Sequence, residues 1–509
     1  MGSPQAHHRY EWRKTSNGLW QRDVDEAERF YASFCRTPRD PDAASFPVTA
    51  SASFAVPVPE NDDVEVVGRQ VEAAVLGAWV ALRAECPMLG SWIQYDSEAG
   101  DWKKVFSSFH DSDNYTVAQE EWLSQTFSTA QSEACRDWSA NDRVFKLPTL
   151  ALVKSLPEQI DMVSGSVYLR SPHDMIDGIG ILQLLNRLFD LAGRAYHGAI
   201  FSRVSYAHEV DRLSPPLRLA LGIPAQPTES QKQRFAEITA RNATIQADIP
   251  FLGLPLSAAG GADRNHRVSV TLPETTTTRL LENCKLRNIT VTHAISAAVV
   301  IALRDLQPSS TDSTVMQYTN QALVNLRHLC RPPWDASAVG NYHMIASRAM
   351  GISIATAPCK DTPEDHTEEL LSVANQFRDY YASVRPDPTG LGRDVLAFAP
   401  MTWDFFTPKP TSTPPPQMPT AAVATSSLGN VSAIIQAERQ PFKITDAWVA
   451  GETLGTGVSM FLHGWAGTTC FSVIFNSKFH KRGHIEVFQQ RVLECLDRGM
   501  GLQWSTLDH

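Results

Sequence analysis

The octapeptide Ser171-Pro172-His173-Asp174-Met175-Ile176-Asp177-Gly178 carries the pattern H-x-x-x-D-G between a strand-like run, Val167-Tyr168-Leu169, and an apolar helix. A histidine on such a turn can act as a general base near neutral pH, where its ordinary pKa lies. An aspartate four residues later can hold the turn in shape, and the glycine after it lets the backbone bend tightly. The chemistry suggested is proton abstraction from a nucleophile, with His173 as the base. Three further segments bear on the motif. Leu323-Val324-Asn325-Leu326-Arg327 is followed by Arg331-Pro332-Pro333, then by Val339-Gly340-Asn341-Tyr342, and later by Thr425-Ser426-Ser427-Leu428-Gly429-Asn430. His343 alternates with Tyr342, so one of the two side chains can face a binding space.

The elements that must position these residues read as α/β. Residues 1–62 suggest a loosely structured lead-in with one amphipathic helix near Val24–Phe34. Val64, Val67, Val71, Val75, Trp79 and Leu82 recur at helical spacing, and Pro87 ends that helix. Strands are expected at Ser91–Tyr95, Lys103–Phe106, Leu147–Lys154 and Met162–Leu169. Ile181, Leu184, Leu185, Leu188 and Leu191 give the helix after the His173 turn its apolar face. Residues 205–264, with Pro215-Pro216 and Gly260-Gly261, read as a bridge. A second half follows: a strand at Val268–Leu272, a helix at Thr275–Arg287, and a helix Ala294–Leu303 capped by Thr292. Strands at Val315–Leu326 and Tyr342–Ile354, a helix at Glu368–Val384, three late strands and a last helix at Ile485–Leu496 complete it. The Pro-rich stretch 407–419 is expected to be an exposed loop. The division expected is 1–210, a bridge 211–264, and 265–509.

Composition narrows the class. The chain has 509 residues, 43% hydrophobic and 20% charged, which suits a globular protein of two domains. A net charge of −10 and no basic run argue against nucleic acid as partner. Eight scattered cysteines without C-x-x-C favour reduced thiols over a disulfide frame or zinc site, hence a cytoplasmic setting. The polar N-terminus lacks a signal-peptide core, and no apolar run is long enough for a membrane span. Lys478, His480, Lys481, Arg482 and His484 form a basic cluster that reads as a solvated turn.

Taken in order over roughly 400 residues, the H-x-x-x-D-G, Arg327…Pro332-Pro333…Gly340-Asn341 and Thr425–Asn430 segments resemble the CoA-dependent acyltransferase superfamily. That group holds chloramphenicol acetyltransferase, the plant BAHD acyltransferases and the condensation domains of nonribosomal peptide synthetases. The lead-in Trp20–Tyr31 and the overall size look like the fungal trichothecene 15-O-acetyltransferase subgroup. The resemblance implies two chloramphenicol-acetyltransferase-like lobes, each a mixed sheet with flanking helices, and a tunnel between them. It implies that His173 deprotonates an acceptor hydroxyl as it attacks an acyl-CoA thioester, most simply acetyl-CoA, with no metal and no bound cofactor. Asp177 would pair with Arg327 and be structural. Gly178 N–H, Ser426 or Ser427 would serve the oxyanion, and Asn341 and His343 would line or shape the site. The partners implied are acyl-CoA and a small-molecule alcohol, bound by a monomer.

The chain departs from the family pattern twice. Condensation domains carry two adjacent histidines, and Pro172 holds the first of those positions here. This favours a stand-alone acyltransferase over the alternative, condensation or cyclisation with a carrier-protein-bound donor. The BAHD D-F-G-W-G motif is absent, with Asp446-Ala447-Trp448 in a comparable place. A binding protein without chemistry is a third reading, and the intact H-x-x-x-D-G weighs against it.

Overall fold

The computed structural model describes the chain except residues 1–7, 37–45, 113, 132–145, 156–160, 199–205, 248, 258–259, 308–314, 336–338, 387–391, 409–419 and 504–509. The Pro-rich expectation falls almost wholly on 409–419, outside the described residues.

The architecture is α/β, with two main sheets, each with its own hydrophobic core. The first is six-stranded, in the order Glu438–Arg439, Phe442–Gly451, Pro47–Pro57, Met162–Pro172, Thr149–Lys154, Phe127–Gln131. Along Thr149–Lys154, Leu150 and Leu152 point to the helix-covered core, while Ala151 and Val153 join an apolar patch on the other face. That alternation is the two-residue period of a strand covered on both sides. Helices Val64–Glu85 and Gly178–Tyr196 cover the inner face with Val71, Val75, Trp79, Leu82, Leu184 and Leu188. Asp63 caps the first by accepting from Glu65 N at 2.7 Å, and Asp177 caps the second by accepting from Gly180 N at 2.9 Å. Gly193 lets the second helix close on the sheet edge, since a Cβ there would sit 2.6 Å from the Gln440 carbonyl oxygen.

The second sheet has four strands, in the order Asn265–Leu272, Thr468–Asn476, Val458–Trp465, Val423–Asn430. Helices Val291–Asp305, Pro363–Val384 and Arg482–Met500 back it. Trp448 and Ala450 of the first sheet meet Ile474 of the second, with the Arg267 guanidinium 4.2 Å over the Trp448 ring. Strand Phe442–Gly451, from late in the chain, is hydrogen-bonded to Pro47–Pro57 from its beginning, so the first sheet is built from both chain halves. No single helix among the described residues is long and apolar enough to cross a membrane.

Several local expectations are corrected. Residues 47–57 are not lead-in but an interior strand of the six-stranded sheet. Their sequence, PVTASASFAVP, alternates small residues with little hydrophobic contrast, so periodicity could not mark it. The bridge contains a helix, Glu229–Ala247, and a further helix, Gly392–Phe406, lies where none was expected. Thr290, not Thr292, caps Val291–Asp305, in a reciprocal capping box with His293. Each of the two long strands expected at 315–326 and 342–354 is broken into two shorter ones. His480 of the basic cluster is fully buried, with its Nε2 2.8 Å from the Thr456 carbonyl oxygen.

Candidate active site

Strand Met162–Pro172 ends where helix Gly178–Tyr196 begins, and His173 occupies the turn between them. Arg36, just past helix Glu26–Cys35, forms a fully buried ion pair with Asp174, and Lys104 Nζ donates to the Asp174 carbonyl oxygen at 3.3 Å. Asn341 Nδ2 donates to the His173 carbonyl oxygen at 2.9 Å. The turn is therefore gripped at its backbone from the second half of the chain and at Asp174 from the N-terminal segment.

Around the imidazole lies an aromatic nest. The Tyr31 ring stacks on His173 with centroids 4.1 Å apart and planes 11° apart, and Phe46 lies alongside at 5.4 Å and 20°. Trp403, fully buried, meets both Tyr31 and His343. Burial pushes the His173 pKa down to about 4, helped by nearby His343 and opposed by its own backbone carbonyl, Asp177 and Asp174. The ring is thus neutral and able to accept a proton at pH 7. No described side chain hydrogen-bonds either ring nitrogen, and Nδ1 is the one sealed from solvent.

Asp177 is a hub. Its Oδ1 accepts from Gly180 N, while Oδ2 accepts from Arg327 Nη1 at 2.6 Å, from Tyr342 N at 2.9 Å and from His343 Nδ1 at a long 3.4 Å. Burial would raise this carboxyl's pKa, but Arg327 and His343 outweigh it and hold the group well below the ordinary carboxylate range. Arg327 also donates through Nη2 to the Gly340 carbonyl oxygen at 3.0 Å. With its donors arranged this way, Asp177 has the environment of a structural anchor rather than of a proton carrier. His343 completes its contacts with Nε2 2.8 Å from the Tyr31 hydroxyl.

The serine strand is split in its behaviour. The Ser427 hydroxyl lies 2.9 Å from that of Thr292 on the neighbouring helix. The Ser426 side chain alternates to the opposite face, and its hydroxyl has no hydrogen-bond partner among the described residues. Leu428 reaches the first turn of the His173 helix, 3.3 Å from where a Cβ on Gly178 would stand, and a register shift follows at Gly429, whose φ is +71°. His173, Asp177, Arg327, Asn341 and His343 are thus one connected cluster. Gly178 borders the serine strand, and Ser427 is engaged elsewhere. Tyr31, Phe46, Trp403 and the Arg36–Asp174 pair were not flagged by the sequence. Tyr31 lies on an expected amphipathic helix, but nothing local distinguishes it from a core residue.

The two α/β lobes, meeting at the H-x-x-x-D-G turn and Arg327, have the fold of solved acyltransferase and condensation-domain structures. The family model for the phthiocerol/phthiodiolone dimycocerosyl transferase C-terminus matches residues 261–360. Among curated proteins, the O-acetyltransferase pigM of Monascus ruber is 24% identical over 474 residues, covering 92% of this chain and 83% of its own length. Among solved structures, TRI3 trichothecene 15-O-acetyltransferase from Fusarium sporotrichioides superposes with a TM-score of 0.75 at 17% identity, covering 97% of this chain and 98% of that one. The condensation domain of the Monacolin K polyketide synthase MokA gives 0.54 at 14% identity, over 94% and 97% of the two chains. These matches support the superfamily, and acyl transfer as the class of activity.

Proposed function

We propose that the protein is an O-acyltransferase that moves an acyl group, acetyl by preference, from CoA to a hydroxyl of a small secondary metabolite. His173 is its general base. The observation that carries this reading is the His173 turn itself: a neutral, partly buried imidazole held by Asn341 and the Asp177–Arg327 pair, with no described side chain bonded to Nε2. In this scheme Nε2 takes the acceptor's hydroxyl proton while that oxygen bonds to the thioester carbonyl carbon. The tetrahedral oxyanion then collapses, the C–S bond breaks, and the imidazolium returns its proton to the departing thiolate. The products are an ester and free CoA.

Desolvation strengthens any donor aimed at the oxyanion. Ser426, unpartnered and one strand residue from the engaged Ser427, is the side-chain candidate, and Gly178 N–H is the backbone one. Ser426→Ala is expected to lower kcat by about 10²-fold with little change in KM, and Ser427→Ala to change kcat far less. Equal, small effects from both in steady-state assays would remove the serine strand from the mechanism.

The donor is decided by direct comparison. Free acetyl-CoA is expected to support turnover with a panel of terpenoid and polyketide alcohols, and an acetylated acyl-carrier protein to support little. The reverse order would establish the condensation-type alternative, to which Pro172 in place of a second histidine is opposed.

A further inference from the structure

Asp177, His343 and Tyr31 form a hydrogen-bonded chain that ends on the face of His173. Tyr31 comes from helix Glu26–Cys35, His343 from strand His343–Ile345, and Asp177 from the helix cap. Asp177 is an ionised acceptor, so His343 Nδ1 carries the hydrogen and donates to Oδ2 at 3.4 Å. In the neutral ring this leaves Nε2 as an acceptor for the Tyr31 hydroxyl, 2.8 Å away. The phenol stays protonated: burial and the nearby Asp177 charge push its pKa well above the ordinary value. Its aromatic face, not its hydroxyl, meets the base, at 4.1 Å and 11°.

A stacked aromatic face attracts a cation through its quadrupole, and more strongly where water is excluded. A phenol that donates its hydrogen to an imidazole backed by a carboxylate carries extra electron density in its ring. We propose that Asp177, through His343 and Tyr31, stabilises the imidazolium that His173 becomes when it takes the acceptor's proton, making Tyr31 and His343 positioning residues of the reaction. This rests on His173 as the base. The other charged and titratable groups facing His173 are already committed. Asp174 on its own turn is paired with Arg36, Arg327 stands behind Asp177, and Cys35 on the Tyr31 helix is a thiol that burial keeps protonated. The Tyr31 chain thus adds a path for the influence of Asp177 at the ring face, beside the direct attraction of its charge for the imidazolium.

Tyr31→Phe keeps the stacked ring and severs the chain, while Tyr31→Leu removes both. Expected are a fall in kcat of about threefold to tenfold for Phe and a larger one for Leu, with the KM for acyl-CoA unchanged. The His173 titration midpoint, followed by NMR of its ring carbon-bound protons, should move to lower pH by about half a unit in Tyr31→Phe, a threefold loss of proton affinity. A purely packing role would lower thermal stability and leave that midpoint where it is. If Tyr31→Phe keeps both kcat and the midpoint while His173→Ala is inert, the chain has no such role and the base assignment stands. If His173→Ala turns over normally, the base assignment fails, and the NMR midpoint, which needs no turnover, still decides the chain.

Discussion

His173→Ala is expected to lower kcat by about 10²–10⁴-fold while leaving a folded protein. General-base help of that size is what a correctly placed imidazole supplies, and positioning of the two substrates accounts for the residual rate. The fold should survive because the side chain contributes little to it. No described side chain hydrogen-bonds its nitrogens, and the turn is held through backbone and neighbours, by Asn341 on the carbonyl and by Arg36 on Asp174. What is lost is the ring stack on Tyr31, worth about 0.5–1.5 kcal/mol. The control is therefore a thermal melt beside the steady-state rate. The pH profile carries a second signature. Because burial holds the His173 pKa near 4, the base is free through the mildly acidic range, and kcat/KM should stay level as pH falls through the region where an exposed histidine would titrate. A folded His173→Ala protein with near-wild-type turnover would overturn the mechanism.

Asp177→Asn should give the largest loss of stability, about 3–5 kcal/mol, because it strips the partner from a buried guanidinium. Asparagine keeps the cap on Gly180 N, so the helix start is spared and the effect isolates the charge. Arg327 Nη1 would then face a neutral amide at the 2.6 Å contact, and the segment bearing Tyr342 and His343 would lose the acceptor that pins it to the His173 turn. Activity should fall with it. Pairing Asp177→Asn with Arg327→Met should recover part of the stability, since removing both charges leaves none unpaired; denaturant melts of the single and double variants measure this. The wild-type pH dependence follows with a definite sign. The folded-state pKa of Asp177 is depressed, so its contribution is complete above the ordinary carboxylate range near ~4 and is lost as pH falls below it. Acid melts of wild type should show that loss, and Asp177→Asn should lack this share of it. Native stability with lost activity in the variant would instead assign Asp177 a direct part in the chemistry.

The helices that frame the site were legible because their signals are local. Val64–Glu85 and Gly178–Tyr196 show one apolar face at helical spacing, and each begins at an aspartate that caps it. Strand Pro47–Pro57 was not legible, because its Ala and Ser residues are buried by neighbours on both sides rather than by hydrophobicity of their own. Helix Gly392–Phe406 contains Pro400, which reads as a helix breaker when no tertiary packing is known.

The site divides in the same way. The sequence by itself determined the turn, its candidate base and the residue types around it, since H-x-x-x-D-G, Arg327, Gly340-Asn341 and the serine strand are short contiguous signals. Only the tertiary structure decided how they meet. It put Arg327 on Asp177 across 150 residues and the Tyr31 hydroxyl on His343 across 312, turned Ser427 to Thr292 rather than to the base, and brought Tyr31 and Phe46 against the imidazole. The physical reason is one of range. Caps and apolar faces are set by neighbours within a few residues, whereas a hydrogen-bond partner, and the burial that shifts a pKa, depend on chain segments whose approach leaves no mark on the local sequence of either.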